Sequence, residues 1–117
     1  MSVLRIVANL AVPDPRAASA FYERLFGLSV RMDHGWIVSL GNAASAPVQL
    51  AFASEGGAGT PVPALSIEVD DVDAVHAAAR AAGDEIVYPL TDEPWGVRRF
   101  HLRDPTGVIV NVLSHRG

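Results

Sequence analysis

The 117-residue sequence predicts an α+β fold: tandem βαβββ modules forming a paired, partly closed sheet around a cavity. Three observations carry that expectation. A capped helix pattern occurs twice, with the two copies spaced by about half the chain. Each copy follows one short apolar run and precedes three β-rich segments. One helix per module can cover only one face of its sheet, so the other face has to close on something else.

The elements follow in order. In "RIVANLAVPDPRAASAFYERLFGL" a short apolar run leads to Asp14, a good N-cap, with Pro15 at the first helical position. Ala18, Phe21, Tyr22 and Leu25 recur at helical spacing as the expected core face, and Gly27 stops the helix. The segments "LSVRMD", "HGWIVSLG" and "PVQLAFAS" then read as strands, with "GNAASAP" as a turn between the last two. The stretch "SEGGAGTPVP", residues 54–63, reads as a linker. In "PALSIEVDDVDAVHAAARAAGDEI" the pattern repeats: an apolar run ending at Asp70 and Asp71, then Val72, Val75, Ala79 and Ala82 at helical spacing, then Gly83. "DEIVYPL", "WGVRRFHLRD" and "GVIVNVLS" complete the second set of strands. The expected boundaries are module 1 at 1–53, the linker at 54–63 and module 2 at 64–117.

Composition removes several chemistries. All nine basic residues are arginine, so Schiff-base chemistry and a P-loop are excluded. With no cysteine there are no disulfides, thiolate metal sites or Cys nucleophiles. Net charge is −4 and the arginines are scattered, which argues against a nucleic-acid partner. Arg98, Arg99 and Arg103 do cluster, but beside Asp92, Glu93 and Asp104. No apolar run approaches the ~20 residues of a membrane span, and the first residues read as a strand, not a signal peptide. A cytoplasmic protein with no membrane partner is the expectation.

The segments "VPDPRAASAFYERLFGL", "EVDDVDAVHAAARAAG", "EPWGVRRFHLRDPTG" and "VIVNVLSH" carry a resemblance that covers nearly the whole chain. It is to the vicinal-oxygen-chelate superfamily, which contains glyoxalase I, bleomycin-resistance proteins, fosfomycin-resistance enzymes and extradiol dioxygenases. The resemblance implies a homodimer. In metal-using members it also implies four ligand positions, often His in each module's first strand and Glu in each last strand. Here those positions hold Val7, Gln49, Ala64 and Asn111. Two alkyl groups and two neutral amides are a poor donor set for a divalent ion, so no metal and no cofactor is expected.

Alternation along strands extends the reading. If Asn111 faces the cavity, so do Ile109 and Leu113, while Val108, Val110 and Val112 pack on the helix. Arg99 and His101 then face the cavity, with Phe100 and Leu102 on the helix side. In module 1, Gln49 and Ala51 face the cavity and Val48, Leu50 and Phe52 the core; Ser39, Asn9 and Ser66 follow the same rule. The expected ligand-binding set is Gln49, Trp95, Arg99, His101 and Asn111, with His101 as candidate catalytic residue. Each has a plainer reading. Asn111 and Gln49 can bond each other or backbone, and His101 can be structural. Arg99 can pair with Glu93 or Asp92 in a screened rim contact. Trp95 can stack on a planar ligand or plug a dimer contact. Trp36 is expected to pack, and His34, His76 and His115 to be solvated.

The function expected is metal-free binding of a small molecule, sequestering a planar antibiotic or metabolite as bleomycin-resistance proteins do. Alternatives are a glyoxalase-type lyase, isomerase or dioxygenase using a divalent metal, and a metal-free acid–base enzyme using His101 or Glu68.

Overall fold

The computed structural model describes residues 1–43 and 49–116. The expected inward side chain of Val48, and most of the turn expected at 41–47, lie outside the described residues. The chain runs β1 (Val3–Ala11), α1 (Pro15–Phe26), β2 (Ser29–Asp33), β3 (Ile37–Gly41) and β4 (Gln49–Ala53). It continues with β5 (Leu65–Val69), α2 (Val72–Ala82), β6 (Glu85–Asp92), β7 (Val97–Arg103) and β8 (Ile109–His115). This is the α+β, twice-repeated βαβββ order that the sequence predicts. The residues group into two compact units, 7–62 and 1–6 with 63–117. The first six residues thus belong with the second helix.

In the unit of 7–62 the strand order is β2-β3-β4-β1. β1 runs parallel to β4, with Asn9 opposite Ala51, and β3 is antiparallel to it, with Ser39 opposite Ala51. Asp14 caps α1 by accepting from the Ala17 N–H at 3.2 Å, and Gly27 ends it at φ 67°, a left-handed conformation costly for any residue with a Cβ. Ala18 and Tyr22 seat the helix on Val38, Leu40 and Phe52. Phe21 and Leu25, expected in the core, are exposed instead. The helix meets its sheet through the Ala18/Tyr22 ridge, and Phe21 rests edge-on against Tyr22 and Phe26.

The segment 54–63 is no slack linker. The Gly56 N–H donates to the Thr60 carbonyl at 2.7 Å, the Thr60 N–H to that of Gly57 at 3.0 Å, and the Glu55 carboxylate accepts from the Gly59 N–H. Gly56 and Gly57 are buried within this closed loop.

In the other unit the order is β5-β8-β7-β6. β5 and β8 are parallel, and the remaining pairs antiparallel. Ser2 joins this unit through a reciprocal pair with Asp70: the Asp70 N–H donates to the Ser2 carbonyl, and the Ser2 N–H to the Asp70 carboxylate. Asp71 caps α2 by accepting from the Ala74 N–H, and Gly83 closes it at φ 76°. Val72 and Ala79 of α2 pack with Val69, Phe100 and Val112, flanked by Leu102 and Val110. His76, expected in solvent, lies edge-on to Phe100 with ring centroids 4.9 Å apart.

Candidate functional site

With Phe100, Leu102, Val110 and Val112 turned to α2, alternation puts Arg99, His101, Asn111 and Leu113 on the opposite face. Register aligns them in rows. Tyr88, His101, Asn111 and Ser66 lie side by side across β6, β7, β8 and β5, and Thr91, Arg99, Leu113 and Glu68 form the next row. Strict alternation would put Tyr88 on the same face as Ile86 and Leu90, which pack beside α2. Irregularities on either side of Tyr88 turn it to the His101 face. Pro89 stands where the ladder is broken, tolerated because β6 is an end strand.

Arg99 is held on all sides. Its Nε donates to Glu93 Oε2 at 2.7 Å, and the two side chains are only 3% and 4% exposed. The guanidinium carbon lies 4.9 Å from the Tyr88 ring centroid and 5.0 Å from that of Trp95, so the cation is clasped between two aromatic faces. The Tyr88 hydroxyl donates to the same Glu93 oxygen at 2.9 Å. Glu93 reaches this position from the β6–β7 turn, where its N–H bonds the Val97 carbonyl and its carbonyl accepts from Gly96. The Arg99–Glu93 pairing foreseen in the sequence is present, but buried instead of screened at a rim.

The neighbouring row is different. His101 is 2% exposed, and its Nε2 has no hydrogen-bond partner among the described residues. Burial, and secondly the Arg99 charge, push its imidazole down to about 4, so it is neutral at pH 7. Asn111 is 8% exposed. Its Nδ2 donates to Ser66 Oγ at 3.1 Å, while its Oδ1 is buried without a partner. His101 and Asn111 are directly opposed in the β7–β8 ladder, which sets their Cβ atoms about 4.5–5.5 Å apart. Two orphaned polar atoms therefore belong to facing residues, at a cost of ~1–3 kcal/mol each unless something bonds them.

The structure thus brings Trp95, Arg99, His101 and Asn111 together on one unit's face. Gln49, at the start of β4, belongs to the unit of 7–62, where it is half-buried opposite Gly41. The amide partner of Asn111 is Ser66, in place of Gln49 or backbone. Sequence reasoning missed the role of Tyr88 and the burial of Glu93. His115, expected in solvent, is half exposed, and its Nδ1 donates to Glu68 Oε2 at 2.7 Å while Arg5 Nε donates to Oε1. The signal available for Glu68 was its parity with Ser66.

The four positions that would hold a metal do not suit one. Val7 and Ala64 offer no donor, and Gln49 and Asn111 offer only neutral amides. Among the described residues no three His, Asp or Glu side chains gather at liganding distance. His101 has the positive Arg99 as its neighbour. Among the described residues no helix is long and apolar enough to cross a membrane.

Solved structures share this architecture at low identity. A Legionella pneumophila protein named as an NAD-dependent benzaldehyde dehydrogenase superposes with a TM-score of 0.76 at 17% identity, covering 96% of this chain and 100% of that one. A methylmalonyl-CoA epimerase from Streptomyces coelicolor, solved with 2-nitronate-propionyl-CoA, gives 0.71 at 20% identity, covering 99% and 100%. A glyoxalase/bleomycin resistance protein/dioxygenase superfamily member from Vibrio splendidus gives 0.62 at 18% identity, covering 97% and 99%. Among curated proteins none matches the sequence. The family model for this superfamily matches residues 3–112, and the chain belongs to the Glyoxalase/Bleomycin resistance protein/Dioxygenase superfamily.

Proposed function

We propose that the face of the 63–117 unit opposite α2 binds a small organic molecule directly, without a metal ion or cofactor, and releases it unchanged. The observation that carries this is the two orphaned atoms, His101 Nε2 and Asn111 Oδ1, on facing side chains more than nine-tenths buried. Buried polar groups are nearly always bonded, so each exception calls for a partner. The epimerase complex shows that this fold accommodates a small molecule in a relative. Binding is favoured over acid–base catalysis because an imidazole lowered to about 4 is a feeble base at neutral pH. Trp95 and Arg99 frame the site, each already engaged by the other. A second copy of this chain remains the expected partner, in keeping with exposed Leu4, Ile6 and Leu10 on β1, and the cytoplasm the expected location.

The test is ligand-observed NMR with a fragment library on the wild type, Asn111→Leu and His101→Phe. Fragments retained by the wild type and lost by both variants support the reading. Fragments that bind all three proteins alike overturn it. Stoichiometric zinc, nickel, manganese or iron in protein purified without chelator would overturn its metal-free part.

A further inference from the structure

We propose that this face selects an uncharged ligand carrying an amide edge, an N–H beside a carbonyl, with the N–H donated to Asn111 Oδ1 and the carbonyl taken by His101 Nε2. The inference rests on the binding reading above and specifies what is bound.

An amide oxygen only accepts, so whatever satisfies Asn111 Oδ1 must bring an N–H or O–H. In the orientation observed the amide gives its nitrogen to Ser66 Oγ at 3.1 Å, which leaves the oxygen for the ligand. Of the two neutral tautomers of His101, we assign the one with its proton on Nε2, which supplies the matching donor for a carbonyl. His101 and Asn111 are opposed across the ladder, so one small ligand edge can span the two residues. An amide edge offers the complementary pair on adjacent atoms, as a lactam, an imide or a heterocyclic amide does.

Charge decides the remainder. Arg99, in the row next to this pair, is compensated by Glu93 at 2.7 Å and covered by the Tyr88 and Trp95 rings. Farther along the same face, Glu68 is engaged by Arg5 and His115. A carboxylate ligand would bring negative charge against the Asn111 oxygen and lose its hydration for an arginine already paired. A cationic ligand would meet Arg99 from the row beside His101. A neutral amide escapes both penalties and satisfies both atoms.

The experiment uses the intact protein and four probes of similar size: 2-pyridone, N-methyl-2-pyridone, benzoate and benzamidine. Binding is read by saturation-transfer NMR and by amide shifts of the 15N-labelled protein, on the wild type, Asn111→Leu and His101→Phe. The expected result is that 2-pyridone binds and perturbs residues of β7 and β8. N-methylation, which deletes the donor, should weaken binding tenfold or more, and the two ions should bind no better than the N-methyl compound. Each variant should lose 2-pyridone by a similar factor while its amide spectrum stays dispersed. Equal binding of the two pyridones, or no binding of 2-pyridone at its solubility limit, overturns the amide-edge proposal. Benzoate or benzamidine binding that both variants abolish overturns the ligand class and leaves the face intact. Binding of 2-pyridone that neither variant alters overturns the face itself.

Discussion

Replacing Glu93 by glutamine removes the carboxylate from Arg99 while keeping the side chain's shape. The wild-type pair is joined at 2.7 Å with both partners at most 4% exposed, so water contributes little to either charge. Breaking such a buried pair from one side costs about 3–5 kcal/mol, a large part of the ~5–15 kcal/mol that holds a domain folded. Glu93→Gln should fall near the lower end, because the amide oxygen can still accept from the Tyr88 hydroxyl. Arg99→Met strands the opposite charge and should cost a similar amount. The double variant leaves no buried charge, so it should be more stable than either single one, with a coupling of at least ~2 kcal/mol in the cycle. Urea unfolding at pH 7 measures all four proteins, with tryptophan emission as the probe because Trp95 covers the guanidinium. A Glu93→Gln cost below ~1 kcal/mol would mean that the pair is screened as surface pairs are. Arg99 would then be accessible to an anion, and the argument for an uncharged ligand would collapse.

Further outcomes follow from other parts of the chain. The His101 imidazole, lowered to about 4, is protonated in the unfolded chain before the folded one, so its contribution is complete above ~6.5 and is lost as pH falls toward 4. With allowance for nearby solvent this amounts to ~1–2 kcal/mol, read as a drop in urea midpoint between pH 7 and 4.5 that His101→Phe should lessen. Asn111→Leu should hold or raise the melting temperature, since it removes an orphaned oxygen from an apolar strand. Gly56→Ala would place a Cβ 2.2 Å from the Pro61 carbonyl oxygen and 2.4 Å from Thr60 Oγ1, and should lower thermal stability by ~1–3 kcal/mol. Light scattering at micromolar concentration should give twice the chain mass; the monomer mass alone would remove the homodimer.

How much of this was legible depends on which physical signal each residue leaves in the sequence. Asp14 and Gly27, then Asp71 and Gly83, mark both helices because caps and left-handed stops are local chemistry. Alternation along β7 and β8 separates Phe100 and Val112 from His101 and Asn111, since a regular strand obeys a period of two. The same rule misplaces Tyr88, because the ladder irregularities of β6 change parity without changing composition; Pro89 is the one local hint. The burial of Glu93 escapes notice for another reason. The residue lies in a turn, and its partner is chosen by the fold of the hairpin, so no spacing announces a buried pair. Phe21 and Leu25 show the converse limit: helical periodicity tells which residues share a stripe, but not how wide a stripe the sheet will cover. In the loop 54–63, glycine content suggests slack, whereas its backbone hydrogen bonds close it.

The central claim is that His101 Nε2 and Asn111 Oδ1 await a ligand. Its most direct measurement is the imidazole nitrogen spectrum of protein labelled with 15N-histidine, recorded while titrating a fragment retained in the binding screen. Only four histidines contribute signals, so His101 can be assigned by comparison with His101→Phe. The account predicts that His101 stays neutral from pH 7 down to about 5, that its Nε2 resonance moves with added fragment, and that Asn111→Leu suppresses the movement. A His101 resonance that titrates near the ordinary histidine value, or that is indifferent to every bound fragment, would contradict it.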